Sequence, residues 1–120
     1  MEEGKKVYDL EERTLLFAKR TRVFIKKLPK TTSNYEDGRQ LVRASGSVGA
    51  NYIEANENLG SKDFRMHIRI SRKESKESRF FSKLVDCDGD LNLEQERQWI
   101  IQESTELMLI FGAILKKSGN

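Results

Sequence analysis

The 120-residue chain has little of what most small active sites are built from: one histidine, one cysteine, one tryptophan and one proline. A lone Cys87 closes no internal disulfide, and no Cys/His cluster stands ready to hold zinc. With His67 as the sole imidazole, no Ser/His/Asp or Cys/His constellation can be assembled. Glu54, Glu57, Glu74 and Glu77 bring a carboxylate di-iron bundle to mind, but such sites use Glu-x-x-His pairs and His67 does not follow a glutamate at that spacing. These glutamates are expected to hydrogen-bond Asn51 across helices or to pair with Arg and Lys. Gly46 and Gly49 lack the Lys-Ser/Thr that completes a phosphate-binding loop. Long apolar runs are missing too, so a membrane-spanning helix of ~18 residues is not expected. The opening MEEGKKVYDLEERT is polar where a signal peptide needs an apolar stretch. The chain is therefore expected to be cytoplasmic and non-enzymatic, with no metal, no cofactor and no membrane partner.

What is abundant is charge, at 34% of residues, with Lys, Arg, Glu and Leu that favour helices. One domain spanning residues 1–120 is expected at this length. Four helical segments can be read. The first runs from about Leu10 to Leu28, opened by Asp9 with Glu12 three residues on and stopped by Pro29. Leu10, Phe17, Phe24 and Leu28 form its apolar stripe, widened by Leu16, Val23 and Ile25.

The second helix is expected from about Asn34 to Asn58, with a stripe of Leu41, Ser45, Val48, Tyr52, Ala55 and Leu59. Its period passes unbroken through Gly46 and Gly49, which predicts one continuous helix in spite of the low propensity of glycine. The third, about Lys62 to Cys87 with Ser61 as N-cap, presents Phe64, Ile68, Ser71, Ser75, Ser78, Ser82 and Val85. Two facing stripes of small residues predict a tightly packed antiparallel hairpin. The sequence Asp86-Cys87-Asp88-Gly89-Asp90 lacks the length and final Glu of a calcium loop and reads as a solvated turn. Asn92 with Gln95 resembles a capping box for the fourth helix, about Leu93 to Lys117, whose apolar face is broader than one partner would cover. Short connections predict an all-α, antiparallel up-down-up-down four-helix bundle that associates with further copies.

The net charge of +3 hides segregation. Residues 10–30 hold seven basic and two acidic residues, and residues 62–83 hold eight and three, so each segment carries +5. Lys62, Arg65, Arg69, Arg72, Lys76, Arg79 and Lys83 recur at alternating spacings of three and four, a basic line roughly 30 Å long. Like charges so placed repel by a few tenths of a kcal/mol per pair. Three settings would accommodate them. The line is a solvated face partly neutralised by Glu74, Glu77 and the acidic loop; or it meets an acidic partner; or it binds the phosphates of DNA or RNA, helped by Lys19, Arg22, Lys26 and Lys27. No aromatic residue interleaves with the line, so contact with the backbone is expected rather than base stacking.

The runs Asp9-Leu10-Glu11-Glu12-Arg13-Thr14, Leu28-Pro29-Lys30 and Gln40-Leu41-Val42-Arg43-Ala44-Ser45-Gly46-Ser47-Val48-Gly49-Ala50-Asn51-Tyr52-Ile53-Glu54-Ala55 carry a family resemblance. Ser61-Lys62-Asp63-Phe64 and Lys73-Glu74-Ser75-Lys76-Glu77-Ser78-Arg79 continue it over nearly the whole chain. The sequence resembles the small bacterial four-helix-bundle proteins first noticed as reading frames in intervening sequences of large-subunit ribosomal RNA genes. It is also similar to the accessory variability determinant of diversity-generating retroelements. Phe80-Phe81 departs from the pattern, since many relatives have an aromatic followed by Trp; a packed seam should tolerate the change. The resemblance implies a four-helix bundle assembled as a ring-like homopentamer, and an accessory role beside nucleic acid and a reverse transcriptase. It transfers no catalytic residue. The competing expectation is a protein-interaction scaffold whose basic helix pairs with an acidic partner.

Overall fold

A computed structural model describes residues 9–57 and 60–119. Four helices follow in order: α1 (Leu10–Lys27), α2 (Thr32–Ala55), α3 (Ser61–Leu84) and α4 (Leu91–Gly119). Among the described residues there is no strand. α2 ends at Ala55 with Asn56 as its C-cap, short of the expected Asn58; Asn58, Leu59 and the polar segment 1–8 lie outside the described residues. Each helix packs on its neighbours in sequence, α4 returns to α1, and α1 makes no contact with α3 diagonally across the bundle. No described helix is long and apolar enough to cross a membrane.

The helix ends follow from local chemistry. Asp9 caps α1, its carboxylate accepting from the Glu12 N–H at 2.8 Å. Pro29 follows directly on the C-cap residue Leu28, where a residue without an N–H cannot continue the ladder. Thr31 caps α2 in the same way through the Asn34 N–H. Two expected caps differ. Gly60, at φ 113°, occupies the N-cap position of α3, and Ser61 is already helical. At α4 the cap is Asp90, which accepts from the Leu93 N–H at 3.0 Å, so the helix starts two residues before the expected Leu93.

The core joins Phe17, Phe24 and Leu28 of the first segment to Leu41 and Val48 of α2, Ile68 of α3, and Ile100, Leu107 and Phe111 of α4. Val23, expected to widen the stripe of α1, is half exposed instead. Ser71, Ser75, Ser78 and Ser82 of α3 are fully buried, as the periodicity predicted. Ser75, Ser78 and Ser82 each donate to the carbonyl one turn back, at 2.9, 2.8 and 2.6 Å, which satisfies the hydroxyls with no outside partner. Ser71 instead donates across to the Val48 carbonyl of α2 at 2.8 Å, so the two backbones run close there.

α2 is continuous through Gly46 and Gly49, as expected, but these glycines serve a different neighbour. A Cβ at Gly49 would lie 2.7 Å from the Thr14 hydroxyl, and one at Gly46 would lie 3.0 Å from the Arg22 guanidinium. Val48 meets α3 through its carbonyl, while the glycines let α1 approach from another side. The small-residue run is shared between two contacts because α2 is the helix that both α1 and α3 pack upon.

Polar groups fasten the ends and the open side of the bundle. Asn34 is buried between the two loops at one end: its amide donates to the Pro29 and Asp86 carbonyls at 3.0 and 2.9 Å and accepts from the Asp86 N–H at 2.8 Å. Truncating it to alanine removes all three bonds that tie the two loops together, and a loss of about 1–2 kcal/mol in chemical denaturation is expected. Among the described residues, three ion pairs cross from α1 to α4. Arg13 bonds Glu103 and Glu106, while Arg20 bonds Glu96 at 2.6 Å and lies 3.8 Å from the centroid of the Trp99 ring. The Gln102 amide, followed by Arg13, draws the Glu106 carboxyl below its ordinary pKa.

Cys87, in the acidic loop, is buried, and burial pushes its thiol pKa up. A thiol reagent at neutral pH is expected to modify it slowly in the native protein and rapidly after denaturant is added. Equal rates in both would mean that this loop is open in solution.

Candidate nucleic-acid interface

α3 sorts its residues by face. Ile68, Ser71, Ser75, Ser78 and Ser82 point into the bundle. Glu74 and Glu77 lie on the side of α2, where Arg43 meets them at 3.5 and 2.8 Å. Those bonds, led by the one to Glu77, raise the Arg43 pKa above its ordinary value. Asn51 does not join these glutamates: it donates to Ser47 and accepts from His67 Nδ1 at 3.0 Å. Because both donors of the Asn51 amide are used on Ser47, its oxygen faces the ring and the proton sits on Nδ1. His67 thus ties α2 to α3 as a boundary residue, with Asp63 3.7 Å from its other nitrogen.

The basic line lies on the remaining side. Lys62, Arg69, Arg72, Lys76 and Lys83 are exposed, and Arg65, which lies against Gly119 at the end of α4, and Arg79 are half-buried. Among the described residues, no carboxylate lies within 4 Å of any of the seven. Glu74 and Glu77 make their ion pairs with Arg43 and Lys73 instead. The acidic loop does not reach the line either. Asp86 accepts from the Asp88 N–H and Asp90 caps α4.

The far end of the line is fixed by Arg97 of α4. One of its terminal nitrogens donates to the carbonyls of Ser82, Lys83 and Val85 at 3.1, 3.0 and 2.6 Å, closing the C-terminus of α3. Glu94 holds the same guanidinium in place and, with Cys87 and Asp86, raises its pKa. The helix that carries the cations is therefore ordered through its last turn.

A groove of about 620 Å³ runs along this side, lined by Arg69, Arg72, Lys73, Lys76, Glu77, Phe80 and Leu115 of α4. Phe80 is the residue that sequence reasoning missed. Expected in a packed seam, with no aromatic residue interleaved among the cations, it is instead 57% exposed and lies one turn from both Lys76 and Lys83. Its neighbour Phe81 packs against the core, as expected of a seam residue. The signal was present in the spacing: Phe80 follows Lys76 by four and precedes Lys83 by three, which puts it beside the line.

The other basic helix does not join this surface. Lys19, Lys26 and Lys27 are exposed on α1, which does not contact α3, and Arg22 donates to the Ala18 and Val42 carbonyls at the seam with α2.

Comparison with known proteins agrees with this architecture. No curated protein matches the chain. A crystal structure of a protein with unknown function from the S23 ribosomal protein family of Bacteroides thetaiotaomicron superposes with a TM-score of 0.76 at 24% identity, covering 90% of this chain and 99% of that one. That likeness is one of fold. At the level of sequence, the model of the 23S rRNA-intervening sequence protein family matches residues 7–111. The chain belongs to the 23S rRNA-intervening sequence protein family.

Proposed function

We propose that the protein is a non-enzymatic accessory factor that holds nucleic acid by its phosphates along α3. The observation that carries this reading is the line Lys62, Arg65, Arg69, Arg72, Lys76, Arg79 and Lys83, which no carboxylate of the described residues approaches within 4 Å. A row of unpaired like charges costs the free protein stability, and a polyanion offsets that cost while releasing its own counterions. The cations contact the backbone, so binding is insensitive to base sequence.

The working form is a homopentamer in the cytoplasm, as the family resemblance implies. Leu109 of α4 is 62% exposed, and Leu15 and Val23 of α1 are half exposed, which supports burial against further copies. Five basic lines on one ring would present a nucleic acid with a repeated cationic surface, suited to assisting a reverse transcriptase or another enzyme acting on that strand. Light scattering should give five times the protomer mass.

The test is fluorescence anisotropy with a labelled random-sequence duplex and a labelled RNA at low salt. Binding that weakens steeply as salt is added supports the reading. Absence of binding at low salt overturns it and leaves an acidic protein as the partner of α3.

A further inference from the structure

An exposed phenylalanine in a band of cations has no role in binding phosphate. Arg69, Arg72, Lys73 and Lys76 would attract a duplex equally well without it, because bases inside a duplex are already stacked on one another. Phe80 is nevertheless held in a defined attitude. Its ring meets Phe81 edge-on, with centroids 5.2 Å apart and planes at 80°, and Phe81 is anchored on the core. An oriented aromatic surface flanked by cations is the arrangement that accepts an unpaired base between two phosphates.

The charge around the ring is consistent with that use. Arg69, Arg72, Lys73 and Lys76 line the groove together with one carboxylate, Glu77, and Arg43 bonds that carboxylate at 2.8 Å. Leu115 of α4 gives the groove a second apolar wall. Along the helix, Lys76 and Lys83 lie four residues before and three residues after Phe80, about 6 and 4.5 Å to either side.

We propose that the groove between α3 and α4 selects single-stranded nucleic acid, stacking one unpaired base on Phe80 while Arg69, Arg72 and Lys76 hold the neighbouring phosphates. This rests on the nucleic-acid reading above and adds the strand state that the site prefers. A solvated phosphate line alone would bind duplex at least as well, since duplex has the higher charge density. The stacked base is what reverses that order.

The test compares the wild-type protein with Phe80→Ala and Phe80→Tyr, using a short labelled oligothymidylate, an abasic oligomer of the same length and a blunt duplex. Phe80→Ala is expected to weaken oligothymidylate binding by about tenfold or more and to change duplex binding by less than about twofold. Phe80→Tyr, which keeps a stacking face, retains the wild-type affinity. The wild-type protein binds the abasic oligomer no better than Phe80→Ala does. Equal loss on duplex and oligothymidylate, or full wild-type affinity for the abasic oligomer, overturns the stacking role and leaves the phosphate line intact. A changed light-scattering mass for Phe80→Ala, with both ligands weakened together, also overturns it and makes the ring a subunit contact. If no nucleic acid binds even at low salt, the reading on which this proposal rests fails first.

Discussion

Replacing Arg69, Arg72 and Arg79 together by glutamate is expected to reduce nucleic-acid affinity by about a thousandfold at low salt, while leaving the protein as stable as before or more so. The affinity loss follows from removing three of seven cations and placing three anions among the rest. The stability follows from the same geometry. These three arginines have no carboxylate partner among the described residues, so no ion pair is broken. Each removes repulsions with Arg65, Lys76 or Lys83 one turn away and substitutes attractions of about 0.2–0.5 kcal/mol per pair. A structural role would give the opposite sign. If α3 met an acidic face of its own assembly, the triple variant would lose thermal stability or oligomeric mass. Thermal unfolding at low and high salt, run beside the anisotropy titration, separates the two.

Ser71→Leu is expected to cost about 3 kcal/mol, large enough to unfold a marginal bundle, whereas Ser71→Ala costs about 1 kcal/mol. Ser71 is fully buried and donates to the backbone carbonyl of Val48, so a leucine there would occupy the place of the neighbouring helix. Gly49→Ala probes the opposite face of α2. A β-carbon at that position lies 2.7 Å from the Thr14 hydroxyl and 3.1 Å from its Cβ. Alanine improves helix propensity by up to about 1 kcal/mol, yet a net loss of about 1–3 kcal/mol is expected because Thr14 is buried and cannot move aside. Thr14→Ala should recover part of that loss, since it removes the hydroxyl but keeps the Cβ. Urea denaturation of the single and double variants gives these values. A stabilised Gly49→Ala protein would mean that α1 and α2 are less closely packed than the structure has them.

The fold was largely legible because the periodicity was. The stripe Ile68, Ser71, Ser75, Ser78, Ser82 is the buried face of α3, and the period of α2 ran through its glycines as the helix does. What failed was whatever depended on a neighbour. Asn92 and Ser61 were plausible caps by composition, but backbone direction at the loops gave those positions to Asp90 and Gly60. Sequence spacing cannot say which of two flanking helices a small residue faces, so the glycines of α2 were matched to α3 when α1 is what approaches them. Asn34 had no signal at all, since its partner Asp86 lies 52 residues away.

The candidate site was legible as a line of charge, because a three-four spacing fixes one face of a helix whatever surrounds it. Its unpaired state was not. That depended on Arg43 arriving from α2 to take up Glu74 and Glu77, and on the acidic loop spending its aspartates on Asp88 and Leu93. Phe80 was overlooked because an apolar residue beside serines reads as core until the packing shows the outward face.

The most direct test of the phosphate-binding line is the slope of log affinity against log salt concentration for the wild-type protein and for the variant with Arg69, Arg72 and Arg79 changed to glutamine. The account predicts a wild-type slope of about −4 to −6 on duplex, and a slope shallower by about 3 for the variant. A wild-type slope near zero, or equal slopes for the two proteins, would contradict it.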